Sequence, residues 1–374
     1  MIAHNHSCQI PKLILKPKGE QTMSKPTKAP TLEELQASTQ LPEIHELEVK
    51  QPTIRVIGAG GCGTNLLKAL LMAKPKFDSA LQLMTIDTSH SNAQALPKQI
   101  EVHSIGDLGS GKDRAKNVGA ITKYLDNHKN FVSEAADITI ILFSLAGGSG
   151  SVIAPLLAHR LMRHSERAVI LIGVADASSK RDCMNTILTI KTFSKFATDN
   201  NYYLPMMLYS NIEAGRVAVN RTITARLIEL IDMLTNKSIT EIDYTDKMNF
   251  LRPTNVGCPA GCYLLSVSAS DSDDCQDLPG EMGTVLGEGD MVHAALVVND
   301  TGKCPRILTN VTYTGLADEK KFFSTIGTAI PTELVNELNE TAERYTRNEV
   351  HTDNNKQTFD GVAEHEDSSG IILQ

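Results

Sequence analysis

The stretch Gly58-Ala59-Gly60-Gly61-Cys62-Gly63 decides the fold of this chain of 374 residues. It follows a short run of strand-forming residues, Thr53–Ile57, and precedes a run with helical character, Thr64–Met72. Glycines between a strand and a helix let the backbone approach phosphate oxygens, and the start of the helix offers free N–H groups and a positive dipole end. Alone, the pattern is also typical of dinucleotide-binding proteins, and of tight turns that bind nothing.

A second glycine-rich stretch, Ala146-Gly147-Gly148-Ser149-Gly150-Ser151, follows the apolar run Ile138–Phe143 and precedes a helical run from Val152. Two such loops at one edge of a sheet can hold one polyphosphate from two sides, and the two serine hydroxyls can add donors. A third stretch, Gly106–Lys112, lies between them in sequence. Taken alone it is a flexible loop, but beside the other two it is a candidate sensor of a terminal phosphate.

Apolar, strand-like runs alternate with helical runs over much of the chain. Further strands are predicted at Leu81–Asp87, Ala168–Val174 and Pro205–Tyr209. This alternation predicts an α/β fold with a parallel, Rossmann-like sheet covered by helices on both faces. Residues 220–234 carry apolar side chains on one helical face, which predicts a central helix leading into a second, smaller α/β domain.

The predicted organisation has four parts. Residues 1–50 form a disordered arm, in which lysines precede glutamates. Residues 51–236 hold the glycine loops and the central helix, and residues 237–330 form the second domain. Residues 331–374 form a C-terminal helix and an acidic tail. The later elements are predicted at Cys262–Ala269, Met291–Asn299, Arg306–Thr314 and, as a helix, Thr332–Arg347.

Composition excludes several classes of function. A net charge of -8 disfavours direct binding to nucleic acid, which needs a basic face. The longest strongly apolar run, from Ile138 to Ala146, is far shorter than the about 20 residues of a membrane span. The seven scattered cysteines suit reduced thiols, so a cytoplasmic protein without a membrane partner is expected. His159 and His164 do not share a helical face, and no metal site made of side chains is predicted.

Several motifs, in order, resemble the tubulin/FtsZ superfamily, and most of all the phage tubulins of the PhuZ family. GAGGCGTN at residues 58–65 resembles the first phosphate loop, and SLAGGSGSVIAPL at 144–156 resembles the tubulin signature. IDTSHSN at 86–92, IGVADASSKRD at 172–182 and LPMMLYSN at 204–211 are similar to phage tubulin counterparts. The resemblance runs from about Arg55 to Ser270.

The resemblance implies a GTPase sheet that binds GTP or GDP, with Mg²⁺ bridging the phosphates. It also implies that Asn220, at the start of the central helix, reads guanine, although Asn is equally suited to capping a helix. The residues implied to hold the nucleotide are Gly58, Gly60, Gly61, Cys62, Asn65, Gly109, Gly111, Gly147, Gly148, Ser149, Gly150, Ser151 and Asn220.

Residues 241–246 resemble the synergy loop, through which one subunit completes the site of the next. The resemblance implies that Asp243 and Asp246 position the attacking water as catalytic residues. Two acids at a helix start are also favourable for purely electrostatic reasons, and that alternative stays open. Glu241 stands where FtsZ has Asn, and Ser178 and Ser179 stand where FtsZ has an acid that binds ribose.

The implied function is a GTP-hydrolysing protein that polymerises with itself, head to tail, into dynamic filaments. The family role is a spindle that positions viral DNA in an infected bacterium, so that a phage DNA compartment or capsid is an indirect partner. The alternatives are a division or plasmid-segregation filament, a filament that has lost turnover, or an NAD-dependent oxidoreductase. In the oxidoreductase, Asp87 would bind ribose, but it lies further from Gly58 than the about 20 residues expected.

Overall fold

The computed structural model describes residues 50–73, 75–77, 80–94, 96–106, 109–133, 136–163, 167–235, 243–252, 260–269, 291–298, 306–312, 322–326 and 332–357. The predicted N-terminal arm up to residue 49 and the acidic tail beyond residue 357 lie outside the described residues, as does Glu241.

The described strands form one sheet with a parallel part and an antiparallel part. The parallel strands are β1 (Ile54–Ala59), β2 (Leu81–Asp87), β3 (Ile100–Ser104), β4 (Ile138–Ser144), β5 (Ala168–Ala175), β6 (Tyr203–Ser210) and β7 (Gly261–Ala269). Their spatial order is β3-β2-β1-β4-β5-β6-β7, which confirms the predicted parallel sheet. Beyond β7 the order continues as β10-β8-β9 with antiparallel pairing, through β8 (Met291–Val298), β9 (Arg306–Thr312) and β10 (Phe322–Ile326).

Helices connect and cover these strands. They are α1 (Gly60–Met72), α2 (Arg114–Asn127), α3 (Asn130–Ser133), α4 (Gly150–Met162), α5 (Lys180–Asp199), α6 (Asn211–Thr235), α7 (Tyr244–Leu251) and α8 (Thr332–Gln357). Within the described ranges, none of the helices is long and apolar enough to cross a lipid bilayer.

Apolar side chains that alternate along the strands face two separate cores. In β4, Ile140 and Leu142 face one core, whereas Ile141 and Phe143 face the other. Helices α1, α6 and α7 cover the first core, and α2, α4, α5 and α8 cover the second. Because both faces are buried, β4 and β5 consist of continuous apolar runs, which is the pattern that predicted a covered parallel sheet.

Both helices that follow the glycine loops begin earlier than the sequence indicated. Helix α1 begins at Gly60 rather than Thr64, and α4 begins at Gly150 rather than Val152. The glycines therefore form the first helical turns, where the backbone N–H groups have no acceptor within the helix. These groups are the donors that a phosphate site needs.

Six elements lie outside the predicted strands and helices: β3, β10, α2, α3, α5 and α7. Strand β3 is at the edge of the sheet and only Ile100 is buried, so it lacks an apolar run. Helix α5 buries polar side chains such as Thr186 and Thr189 on its core face, beside Ile187, Ile190 and Phe193.

The element α6 begins at Asn211, but it consists of two helices that meet at Gly215, and the second of them contains the predicted stretch from Asn220. Its backbone is broken at Gly215, with φ 72° and ψ 155°, a conformation that favours glycine. The apolar face predicted for the helix is confirmed, because Ile223, Leu227 and Ile231 are buried.

Candidate functional site

A cavity of about 290 Å³ opens where β1, β2 and β4 end at their C-terminal edge. In open parallel sheets, ligands bind at this edge. Residues that line the cavity and were predicted from the sequence are Gly60, Gly61, Cys62, Gly109, Gly147, Gly148, Ser149 and Gly150. The structure therefore brings together three segments that are far apart in sequence, here called loop 1 (residues 58–63), loop 2 (residues 145–151) and loop 3 (residues 109–112).

Loops 1 and 2 approach each other so closely that neither tolerates a side chain at the contact. A Cβ on Gly60, whose φ is 71°, would lie 2.8 Å from the backbone nitrogen of Gly150. A Cβ on Gly150 would lie 2.5 Å from the carbonyl oxygen of Ala59. The starts of α1 and α4 are therefore held side by side, and both present N–H groups to the same cavity.

Gly58 has a packing role behind the cavity. A Cβ on Gly58 would lie 2.7 Å from the carbonyl oxygen of Gly63, and a Cβ on Gly63 would overlap the carbonyl oxygen of Leu142. These two glycines let α1 pack directly onto β1 and β4. Gly58 thus does not line the cavity, although its place in the motif suggested a ligand contact.

Loop 2 is held by side chains from both of its ends. The hydroxyl of Ser144 accepts hydrogen bonds from the N–H groups of Ala146 and Gly147, each at 3.2 Å. Ser151 donates its hydroxyl proton to the carbonyl of Gly147, so this hydroxyl is used inside the loop and does not line the cavity. The Ser149 hydroxyl does line it, 2.6 Å from the hydroxyl of Thr88.

Loop 3 closes the cavity from the side of loop 2. Gly109 and Gly111 have φ of 75° and 53°, and Lys112 shares this left-handed conformation with φ 59°. A Cβ on Gly148 would lie 2.6 Å from the Ser110 hydroxyl and 2.7 Å from the Cα of Lys112, so loops 2 and 3 touch. Gly111 provides backbone freedom but does not line the cavity.

Seven residues line the cavity that were not among the predicted site residues: Ala59, Asp87, Ser89, Asn92, Ser110, Lys112 and Ser144. Asp87 accepts hydrogen bonds from the N–H of Thr88 at 2.7 Å and from the amide of Asn92 at 2.9 Å. The motif at 86–92, at the end of β2, was the available signal for Asp87, Ser89 and Asn92. Ser110 and Lys112 lie in the stretch 106–112, and Ser144 is the first residue of the motif at 144–156.

Cys62 lines the cavity on the side that faces the loop after β5. Removal from water raises the pKa of its thiol to about 12; Arg216 opposes this shift and Asp176 adds to it. Asp176 follows β5 and accepts hydrogen bonds from the Ser178 N–H at 3.0 Å and from Arg216 at 3.3 Å. Although burial raises the pKa of Asp176, the hydrogen bonds from Ser178 and the charge of Arg216 lower it below its usual value. The Cys62 thiol is therefore neutral, and it lies near an ion pair between the mostly buried Asp176 and the exposed Arg216.

Two further predicted residues lie outside the cavity. Asn65 is exposed on α1. Asn220 is half-buried within α6, where its carbonyl accepts the hydroxyl of Thr224 at 2.7 Å. The interior position of Asn220 excludes the helix-capping alternative for this residue, because the helix has already begun.

Asp243 and Asp246 lie at the start of α7, where they form a capping box. Asp243 accepts from the N–H of Asp246 at 2.8 Å, and Asp246 accepts from the N–H of Asp243 at 3.3 Å. Both acids therefore stabilise the start of a helix, which was the alternative to a catalytic role. It leaves both carboxylates with further lone pairs, since an ionised carboxylate can accept about four hydrogen bonds.

The start of α7 is attached to the opposite edge of the sheet from the cavity. The Tyr244 hydroxyl donates to Asp137, directly before β4, at 3.0 Å, and Lys247 donates to the Gln51 side chain, near the start of β1, at 2.7 Å. Strand β1 has six residues, so the two edges are about 20 Å apart at about 3.3 Å per residue. Asp243 and Asp246 therefore cannot reach the cavity of their own chain.

Lys247 is fully buried on α7. Removal from water lowers the pKa of its ammonium group to about 8, and the nearby charge of Asp243 opposes this shift. The lysine therefore connects the start of α7 to the segment before β1, although removal of its ammonium group from water costs free energy.

Comparisons with known proteins agree with this architecture. No model of a known protein family matches the chain. A phage tubulin-like protein of Pseudomonas phage 201phi2-1 is 26% identical over 240 residues, which span 62% of this chain and 72% of that protein. Among solved structures, the protofilament of TubZ from bacteriophage PhiKZ superposes with a TM-score of 0.63 at 20% identity, over 86% of this chain and 99% of that one.

The phage tubulin PhuZ, solved with GDP, has the same TM-score of 0.63 at 18% identity, again over 86% of this chain and 99% of that one. At these identities the structural likeness shows the fold alone. The order of the strands, the paired glycine loops and these relatives agree: the chain has the fold of the tubulin-like structures and is similar in sequence to a phage tubulin-like protein.

Proposed function

We propose that this protein binds and hydrolyses GTP and polymerises head to tail into filaments. One observation carries the proposal: the glycine loops and the two acids of α7 lie at opposite ends of the same strands. Each chain thus presents a phosphate cradle on one face and a pair of carboxylates on the other. Stacking the chains in one direction brings the two halves together, so the contact propagates and does not close into a dimer.

The cradle fits a polyphosphate. The starts of α1 and α4 supply backbone donors and positive dipole ends, and no side chain intrudes at Gly60, Gly147 or Gly150. Gly58, Gly111 and Ser151 support the cradle from behind, and the remaining predicted glycines and Ser149 contact the phosphates. This assignment favours a nucleoside triphosphate or diphosphate over a neutral ligand.

Mg²⁺ is proposed as the cofactor. In the described part of the chain no group of three or more His, Cys, Asp or Glu side chains could hold a metal by itself. Mg²⁺ is commonly coordinated by phosphates, waters and one or two carboxylates. The carboxylate of Asp87 at the cavity is consistent with this coordination. When bound, the ion would neutralise charge on the phosphates.

Hydrolysis is assigned to the interface. Phosphoryl transfer to water needs an oriented water and charge neutralisation more than covalent chemistry. Asp243 and Asp246 of one subunit would hold the attacking water against the terminal phosphate in the cradle of the next. Asn220 of the subunit that binds the nucleotide is proposed to read guanine, since an amide can pair with both the N–H and the keto group.

The proposed cellular role is a filament that positions phage DNA in the cytoplasm of an infected bacterium. The similarity to a phage protein supports this role over cell division or plasmid segregation, which use the same chemistry. Self-association is the primary partnership, and a DNA compartment or capsid would be an indirect cargo.

The test is assembly followed by right-angle light scattering, with GTP, GDP and a slowly hydrolysed GTP analogue in parallel. A rise with GTP that decays as GTP is consumed, and persists with the analogue, is expected. GTP turnover per subunit should also increase with protein concentration, because the site is completed by a neighbour. Absence of both assembly and GTP binding, together with binding of NAD, would support the dinucleotide alternative instead.

A further inference from the structure

We infer that the groove between α2, α4 and α5 binds a small apolar anion, that is, a molecule with a hydrocarbon body and one acidic group that pairs with Arg114. This groove shares no lining residue with the phosphate cavity. The inference therefore adds a second binding site to the protein, and it does not depend on nucleotide binding or hydrolysis.

The groove has the size and the surface of a small-molecule site. Its volume is about 540 Å³, within the range of about 300–1,000 Å³ that is typical of ligand sites. Most of its wall is apolar and consists of Ala115 and Val118 from α2, Val152, Pro155 and Leu156 from α4, and Leu188 and Phe196 from α5. Val118 and Leu188 are 44% and 46% exposed, so a hydrocarbon body that covers them removes apolar surface from water.

Arg114 places a positive charge without an acidic partner at one end of the groove. A guanidinium group has five N–H donors. Among the described residues, that of Arg114 donates one hydrogen bond, to the carbonyl of Ser151 at 3.4 Å, and its buried Nε has no acceptor. Removal from water lowers the pKa of this guanidinium, which nevertheless stays charged at neutral pH. A partly buried cation without an acid costs free energy, and an anion in the groove would offset that cost.

The acids near Arg114 do not compete with a ligand. Among the described residues that line the groove, none is Asp or Glu. Two acids on or beside α2 are paired with other cations, Asp113 with Lys116 at 3.4 Å and Asp126 with Arg160 at 2.5 Å. The charge of Arg114 therefore favours an anionic ligand over a neutral or cationic one.

The other end of the groove is neutral and contains His159. Its Nδ1 is buried without a partner, and its ring centroid lies 6.0 Å from that of Phe196. Removal from water and the charges of Arg163 and Arg160 lower the pKa of His159, so the imidazole is neutral at pH 7. Along α4 this end is about 12 Å from Ser151, the contact of Arg114. The ligand is therefore elongated, with its acidic group at Arg114 and its apolar body along α4.

The experiment measures the binding of two amphiphiles to the full chain by isothermal titration calorimetry, below the concentrations at which they form micelles. Dodecanoate carries a carboxylate, and dodecyltrimethylammonium carries the same hydrocarbon chain with a positive charge. We expect dodecanoate to bind at one site per chain, at least about tenfold more tightly than the cation. Since the chain has a net charge of -8, non-specific attraction would favour the cation instead.

Two variants with matched controls locate the site. Arg114→Gln removes the charge and keeps a polar side chain, so it is expected to weaken dodecanoate binding about tenfold or more. Arg221→Gln, at an exposed position on α6, should leave the affinity unchanged. Val118→Glu places a negative charge in the groove at a half-exposed position and should weaken binding at least as much, whereas Val217→Glu, exposed on α6, should not.

Thermal unfolding of each variant separates loss of the site from loss of the fold. Absence of saturable dodecanoate binding, or equal affinity for the two amphiphiles, would overturn the inference and leave the groove as a contact for another protein. Undiminished binding by folded Arg114→Gln or folded Val118→Glu would also overturn it. None of these outcomes depends on whether the protein binds GTP, so the proposed function is tested separately.

Discussion

The carboxylate of Asp243 accepts a hydrogen bond from the backbone N–H of Asp246 at 2.8 Å, while the carboxylate of Asp246 accepts one from the N–H of Asp243 at 3.3 Å. Each acid thus supports the first turn of α7. A catalytic role therefore has to be tested with substitutions that keep the cap.

Asp243→Asn is expected to slow GTP hydrolysis about a hundredfold without weakening nucleotide binding or assembly, because Asn caps a helix as well as Asp but lacks the charge. Asp243→Ala should show the same loss of turnover and, in addition, about 1 kcal/mol lower stability. Turnover is measured on assembled protein and stability by urea unfolding, with Asp199→Asn at the exposed end of α5 as the control. Rapid hydrolysis by a well-assembled Asp243→Asn protein would rule out Asp243 as a catalytic residue.

Because Lys247 of α7 is buried, we expect the protein to become more stable as the pH is raised into the alkaline range. The pKa of Lys247 is about 8 in the folded protein, below its ordinary value of 10.5, so between these values the unfolded chain binds a proton that the folded chain does not. The free energy of unfolding should therefore increase as the pH rises through this window, by about 2 kcal/mol from Lys247 between about pH 7.5 and 9.5.

Lys247→Met removes the titrating group and should abolish that part of the increase. Lys191→Met, at an exposed position on α5, is the matched control and should keep it. Urea unfolding of the three proteins at both pH values gives the comparison. An equal increase in the unchanged protein and in Lys247→Met would mean that Lys247 is not the origin of the effect.

Two glycines in helices predict opposite effects of the same substitution. Gly63→Ala should destabilise the protein by about 3 kcal/mol or more, because the new methyl group overlaps the Leu142 carbonyl and pushes α1 away from β4. Gly119→Ala, in α2 with nothing within 4 Å of the new methyl group, should stabilise by up to about 1 kcal/mol. Urea unfolding measures both. A small effect at Gly63 would contradict the close packing of α1 on the sheet.

Removal of the Ser144 hydroxyl is expected to weaken nucleotide binding with little change in the stability of the protein. Ser144→Ala removes the acceptor of two N–H groups in loop 2, so the loop should be less well ordered for phosphate and nucleotide affinity should fall about tenfold. Thermal unfolding should change little, since β4 remains buried. Ser194→Ala, exposed on α5, serves as the control, and calorimetric titration with GTP and GDP gives the affinities. Unaltered affinity would show that the loop keeps its shape without this serine.

The sequence by itself determined the parallel sheet, the places of loops 1 and 2, and the apolar face of the central helix. These are local properties: buried strands are continuous apolar runs, tight strand–helix turns need glycine, and a helical face repeats every three to four residues. Eight cavity residues could be named because loops 1 and 2 follow strands that end at the same edge, and because Gly109 lies in the third stretch.

Only the tertiary structure decided which long-range pairs form. It joined Lys112 to Asp182, set Asn185 and Thr189 beneath loop 2, and attached Tyr244 to Asp137 at the far edge of the sheet. It also placed Ser151 and Gly58 outside the lining of the cavity, in contacts that hold loops 2 and 1. Periodicity indicates which face of an element is apolar, but the partner of a polar side chain depends on how elements distant in sequence pack. For that reason the cradle was predictable from the sequence and its supporting contacts were not.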